Sequence, residues 1–335
     1  MHKLSRLFTA LIASSALSSA ALLPMSPAHA AAPMVQAQVP GYYRLMVGSI
    51  EVTALLDGTI QLDKGLLQHA DEKTLNRALD RLFVGNPKMN NAVNAYLINT
   101  GKHLVLVDAG AAGLFGPTLG NLLQNMKAAG YQPEQVDRII ITHLHADHVA
   151  GINDAQGKPA FPQADVYVSK AENDFWLSKE IAASAPKEAQ PFFKMAQDSA
   201  APYQASGRWK TLAGDGTGEV VPGIQAVNAS GHTPGHRVYV VESQGQKLVI
   251  TGDLFHAHAI QFSHPEVAIK FDIDQKKAIA TRREVLKRVA SEKSFMAGAH
   301  LPFPGIGHVT SEGKSSYRWV PVEFTPLPSA TPAAH

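Results

Sequence analysis

His143, His145, Asp147 and His148 place four groups able to bind a metal ion within six residues, in the order His-x-His-x-Asp-His. Neutral imidazoles and carboxylates suit zinc and also accept manganese or cobalt. The chain contains no cysteine, so any metal site must be built from N and O donors alone. With 15 His in 335 residues, such a cluster arises by chance on the order of once in a thousand chains of this composition, and it is therefore read as a site. Three further candidates stand in turn-like settings: His232 in Gly231-His232-Thr233-Pro234-Gly235-His236, Asp253 after Thr251-Gly252, and His300 after Ala299. This set exceeds what one four- or five-coordinate ion can use, so two divalent ions are expected per chain, with Zn2+ first and Mn2+ or Co2+ as alternatives.

The elements that must position these residues can be read from periodicity. The apolar run Arg138-Ile139-Ile140-Ile141-Thr142 reads as a buried strand leading into the first motif. Alternation along that strand would send the imidazoles of His143 and His145 to the same side. Other strands are expected at residues 43–47, 51–56, 94–98, 103–107, 165–168, 225–228, 237–242, 247–251 and 295–299, and helices at 119–129, 170–179, 187–197 and 275–290. The last helix carries Ile279, Leu286 and Val289 on one face. His232, Asp253 and His300 then all follow strand ends, as a preformed pocket on one rim of a sheet assembly requires. No low-complexity linker interrupts the middle of the chain, and the two series of strands and helices imply two related halves sharing one core.

The ends of the chain read differently. His2, Lys3 and Arg6 precede an apolar Ala/Leu/Ser-rich stretch, and Ala28-His29-Ala30 fits a signal-peptidase site. Residues 1–30 are thus expected to be a cleaved signal peptide and the protein to be periplasmic or secreted. The apolar stretch falls short of the roughly 20 residues a membrane span needs. Residues 31–41 are expected to form an extended arm, 42–324 one folded domain, and the Pro-rich residues 325–335 a disordered tail. The formal charge of +2 is accounted for by Lys3 and Arg6, and no basic run remains after them. That balance argues against nucleic acid as a partner.

The stretch from Thr142 to Gly151 resembles the T-H-x-H-x-D-H-x-x-G motif of the metallo-β-lactamase superfamily. Ala109-Gly110-Ala111-Ala112-Gly113-Leu114-Phe115-Gly116-Pro117-Thr118-Leu119-Gly120, the His232 turn, and Ala299-His300-Leu301-Pro302-Phe303-Pro304-Gly305-Ile306-Gly307-His308 are similar to methyl parathion hydrolases and their aryl-lactonase relatives. The resemblance runs over roughly residues 41–321. It implies an α/β fold, a four-layer αββα sandwich with a binuclear metal site at one edge. It also implies that His143, His145 and His232 hold one ion, that Asp147, His148 and His300 hold the other, and that Asp253 bridges them. The expected nucleophile is a hydroxide shared by the two ions and held by Asp253, since divalent ions bring the pKa of a bound water to about 7. Asp108, in Val107-Asp108-Ala109-Gly110, would support a ligand histidine, whereas His236 and His308 are expected to be structural.

The resemblance places Phe115, Trp176 and Phe193 on an aromatic pocket wall, with Phe192 a further candidate. One departure bears on substrate. Leu254-Phe255-His256-Ala257-His258 carries two histidines where methyl parathion hydrolases have aliphatic residues, so His256 and His258 are expected to make the pocket more polar. The expected function is hydrolysis of aryl lactones and aryl esters, with organophosphate triesters such as methyl parathion as a second activity. The alternatives are a phosphotriesterase proper, an acyl-homoserine lactonase, or a non-catalytic or redox metal-binding member of the same fold. Small-molecule substrates are the expected partners, with no membrane span, and the family implies a homodimer.

Overall fold

In the computed structural model of this chain, residue 32 and residues 34–327 are described. The expected signal peptide and residues 328–335 of the expected tail lie outside them. The chain divides into two units between Val39 and Pro40, and residues 34–39 of the expected arm hold no helix or strand. Among the described residues, no helix is long and apolar enough to cross a membrane.

The first half supplies β1 (Tyr42–Val47), β2 (Ile50–Asp63), β3 (Leu67–Gln68), β4 (Lys88–Asn99), β5 (Leu104–Val107), β6 (Arg138–Ile140), β7 (Asp165–Val168) and β8 (Trp209–Thr211). The second supplies β9 (Gly218–Val221), β10 (Ile224–Asn228), β11 (Arg237–Ser243), β12 (Gln246–Ile250), β13 (Ala268–Ile269), β14 (Phe295–Ala297), β15 (Ile306–Ser311) and β16 (Tyr317–Pro321). Each half closes its own seven-stranded sheet, ordered β1-β2-β4-β5-β6-β7-β8 and β16-β15-β14-β12-β11-β10-β9, while β3 and β13 pair separately.

Strand periodicity explains why the sheets stack. Along β5, Val105 and Val107 enter the core between the sheets, and Leu104 and Leu106 face outward. Along β11, Tyr239 and Val241 meet that same inner core, and Val238 and Val240 face the other way. Both faces of each central strand are therefore apolar, and each outer face must be covered by helices. On the first sheet the cover comes from α2 (Leu122–Ala128), α4 (Lys170–Trp176) and α6 (Gln190–Ala205), through Leu122, Met126, Trp176, Phe193 and Tyr203. The remaining helices are α1 (Glu72–Arg81), α3 (Ala146–Val149), α5 (Lys179–Ser184), α7 (His258–Gln261) and α8 (Gln275–Glu292). On the second sheet α8 provides the cover through Leu286 and Val289. The result is the αββα sandwich expected from the sequence.

Several elements differ from the sequence expectation. Strand β2 runs on past residue 56, because Asp57 and Gly58 are absorbed as a register shift within a continuous β2–β4 ladder. Asp57 is buried there and accepts from the backbone N–H groups of Ala111, Gly120 and Leu122. The extra length carries Ile60 and Leu62 out to the functional pocket. The two helices expected between residues 170 and 197 are three, because Ser178 caps a new one by accepting from Ile181 N–H. The buried stripe of α8 is Ala278, Arg282, Leu286 and Val289, with Ile279 only half-buried. An arginine fits that stripe because Arg282 donates to the carbonyls of Leu254, Pro265 and Val267.

Candidate metal centre

All the candidate ligands follow the C-terminal ends of strands. His143 and His145 lie beyond β6, Asp147 and His148 on α3, His232 between β10 and β11, Asp253 beyond β12 and His300 beyond β14. Because β5 and β6 run parallel, as do β12 and β14, these ends gather on one edge of the sandwich. The strand alternation expected to align His143 and His145 does not operate, since β6 stops at Ile140 and His145 is already the N-cap of α3. The turn itself brings the two rings together.

The seven side chains fall into two groups that share Asp253. In the first, His143 Nε2 lies 2.9 Å from His145 Nδ1 and 3.5 Å from Asp253 Oδ2. His232 Nε2 lies 3.1 Å from His145 Nδ1 and 3.4 Å from the same Oδ2. In the second, Asp253 Oδ1 lies 3.0 Å from His148 Nε2 and 3.3 Å from His300 Nε2. Asp147 Oδ2 lies 3.7 Å and 3.4 Å from those two nitrogens. Four ligands about 2.0–2.1 Å from one zinc ion stand about 3.3 Å apart in a tetrahedron, so both groups have the spacing of a coordination sphere. Asp253 offers one oxygen to each.

Two polar atoms of the cluster also lack a hydrogen bond. His148 Nε2 and Asp253 Oδ1 are buried without a hydrogen bond, although such isolation costs about 1–3 kcal/mol per group. Burial pushes His143 well below the ordinary histidine range and His145 down to about 3. Burial opposes ionisation of Asp253 and Asp147, but attraction to His148 and His300 outweighs it and holds both carboxyls below their usual range. Burial would also lower His232 and His300, yet neighbouring carboxylates raise them to about 9 and about 10. The carboxylates therefore call for positive charge at the centre of the cluster. Divalent cations would supply it and displace the protons from the imidazoles, so the donor set fits a metal pair.

Groups outside the cluster orient the ligands through their far ring nitrogens, which fixes tautomer and direction. Asp108 Oδ2 lies 2.9 Å from His148 Nδ1 and accepts from the Thr142 hydroxyl at 2.8 Å. Asp272 Oδ1 lies 2.8 Å from His232 Nδ1, and the Ala92 carbonyl accepts from His300 Nδ1 at 2.8 Å. Asp272 stands 40 residues from His232 in no motif, so nothing in the local sequence marks it. His236 Nε2 accepts from the backbone N–H of Asp253 at 3.1 Å, a structural role, and His308 sits away from the cluster against Phe295.

Beside the cluster opens a cavity of about 360 Å³, lined by Ile60, Leu62, Phe115, Trp176, Phe192, Phe271 and Ile273 along with His145, Asp147, Asp253, His256 and His300. Phe115 and Trp176 occupy the wall as expected, the Trp176 ring lying 5.2 Å from that of His145. Phe193 does not line it: its ring packs 4.7 Å from the inner side of Trp176 in the core, and its neighbour Phe192 faces the cavity instead. The two expected histidines also separate. His256 Nε2 lies 3.1 Å from Asp253 Oδ2 with its ring stacked 5.0 Å from His300. His258 begins α7 and turns into a different groove, 6.3 Å from Trp319.

Comparison with known proteins agrees with this architecture. A sequence profile of the Metallo-beta-lactamase superfamily matches residues 90–300. The crystal structure of the hydrolase AbOPH, in the beta lactamase superfamily, is 43% identical and superposes with a TM-score of 0.82, covering 87% of this chain and all of that one. AidC, a dizinc quorum-quenching lactonase solved with the product N-hexanoyl-L-homoserine, is 28% identical with a TM-score of 0.78, covering 85% of this chain and 99% of that one. An N-acyl homoserine lactonase of Bacillus sp is 31% identical over 168 residues, and the match spans 44% of this chain and 58% of that protein.

Proposed function

Since this chain belongs to the metallo-beta-lactamase superfamily, we propose that it is a binuclear metal-dependent hydrolase that opens lactones. Aryl lactones and aryl esters are its preferred substrates in this reading, and phosphotriesters such as methyl parathion are weaker ones. The observation that carries the reading is that Asp253 turns one carboxylate oxygen toward His143 and His232 and the other toward His148 and His300, on the lining of a cavity walled by Phe115, Trp176, Phe192 and Phe271. When bound, two divalent ions supply Lewis acidity and a water acidified to a pKa of about 7. The side chains supply the rest. Asp253 sets the separation of the two centres, the aromatic walls exclude water and grip a ring, and His256 places an imidazole where an anionic oxygen develops on lactone opening. An acyl-homoserine lactone is the second reading, supported by AidC and the Bacillus lactonase among the relatives and by the apolar Ile60, Leu62 and Ile273 along the cavity. Side-by-side kcat/KM values for dihydrocoumarin, an acyl-homoserine lactone, methyl parathion and a cephalosporin test both.

The separate placement of the two histidines gives a sharper expectation. His256→Leu should shift the ratio of kcat/KM values from lactone toward phosphotriester by ~10-fold, the equivalent of about 1.4 kcal/mol of differential transition-state binding. His258→Leu should leave the ratio unchanged, because that ring faces another groove. A wild type that already prefers methyl parathion, or a His256→Leu variant with an unaltered ratio, would defeat the assignment of His256 to substrate choice.

Export with cleavage after Ala30 belongs to the same proposal, resting on the basic start and the Ala28-His29-Ala30 site. Intact-mass measurement of periplasmic material should then find an N-terminus at Ala31. Cytoplasmic protein that retains Met1 would overturn it.

A further inference from the structure

Ser169 and Glu172 open helix α4 with the Ser-x-x-Glu pattern of a capping box. Half of the box is made, as Ser169 Oγ accepts from the backbone N–H of Glu172 at 3.2 Å. In a complete box the glutamate would turn back onto its own helix start. Here the carboxylate reaches away from the helix. Oε2 accepts from the N–H of Leu144 at 3.0 Å, and Oε1 accepts from the N–H of Gly235 at 2.7 Å. Leu144 is the residue between His143 and His145, and Gly235 follows His232 in its turn. Ser169 Oγ completes the arrangement by donating to the Gly235 carbonyl at 2.7 Å.

Both side chains are fully buried, and the approach is close. A Cβ on Gly235 would lie 2.3 Å from Ser169 Oγ and 2.4 Å from the Glu172 nitrogen, so the turn can seat against α4 only with glycine there. A buried carboxylate is an expensive way to attach a helix to a sheet, since an apolar side chain would do so without losing hydration. What a carboxylate adds is two acceptor oxygens in one plane, each meeting a backbone N–H of a different ligand-bearing turn.

We propose that Ser169 and Glu172 form a clamp that sets the distance between the His143–His145 turn and the His232 turn, making Glu172 a positioning residue for the first metal centre. The proposal rests on the metal-dependent reading above. The second centre, built on Asp147, His148 and His300, has no contact with the clamp through those hydrogen bonds, so the effect should be confined to one ion. Glu172→Gln keeps the shape but turns an NH2 group toward one of the two N–H donors. It should weaken binding at the first centre by about 10- to 100-fold and leave the second unchanged.

The test is metal content of the full-length protein, dialysed against a graded series of chelator-buffered zinc, with thermal unfolding of the metal-free forms measured alongside. Wild type should retain two ions and Glu172→Gln only one at intermediate buffering. Ser169→Ala, which keeps both carboxylate bonds, should shift the same ion in the same direction by a smaller factor. A Glu172→Gln protein holding two ions with wild-type affinity overturns the clamp, and so does equal loss of both ions with a destabilised metal-free protein. Should Glu172→Gln fail to fold, Ser169→Ala decides: a selective shift of one ion supports the clamp, and no shift or an equal shift of both overturns it. Wild type binding fewer than two ions would instead remove the metal reading itself, and the clamp with it.

Discussion

Asp253→Ala is expected to cut turnover by at least ~100-fold, the scale on which preorganised electrostatics fail when one element is removed, and to lower metal content as well. Asp253 contributes to both ligand groups, with Oδ2 beside His143 and His232 and Oδ1 beside His148 and His300. His143, His145 and His232 fall in the first group alone, and Asp147 and His148 in the second alone. Removing this carboxylate should therefore open both centres and leave Asp147 as the remaining carboxylate of the seven side chains to attract cations. The measurement is metal analysis of the purified variant together with steady-state kinetics on a lactone. Near-normal turnover, or two ions still tightly bound, would reject the bridging role.

Chelation of the wild-type protein should produce the second large effect, on stability as well as activity. An ion that binds only the folded state adds about 4 kcal/mol when its free concentration is a thousandfold above Kd. For a domain of this size each kcal/mol corresponds to roughly 2–4 °C in Tm, so removing two such ions should lower Tm by ~15 °C or more. The metal-free state is costly because Asp253, buried, and Asp147, partly buried, remain carboxylates among histidines, two of which burial keeps from protonating. Thermal unfolding before and after chelation, with restoration by added zinc, checks this. An unchanged Tm in protein shown to have lost its metal would count against it.

The candidate ligand residues were legible in the sequence because metal chemistry demands particular residue types and because local backbone geometry brackets them. His143, His145, Asp147 and His148 are close in sequence, so no folding information is needed to know that they share a neighbourhood. Asp253 and His300 each follow an apolar run, and His232 an alternating one, that ends in glycine or small residues, which marks a strand end whatever the fold. The two-layer organisation was legible for the same reason: in β5 and β11 both faces are apolar, and such strands must be buried between layers.

What the sequence left open concerns direction and distance. Phe192 and Phe193 are consecutive on α6, about 100° apart around its axis, so only one can face the cavity, and packing of Phe193 against Trp176 decides which. His256 and His258 diverge because a helix starts at His258, a boundary that no strong capping residue announces in Phe255-His256-Ala257. Asp57, Glu172 and Asp272 carry no motif that points to the metal centre. Each takes its role from backbone groups or a ring nitrogen brought to it from 28 to 65 residues away. A side chain's partner at that separation depends on how the sheets twist and stack. The ligand chemistry was thus set by local sequence, while the residues that aim those ligands and shape the cavity were decided by tertiary packing.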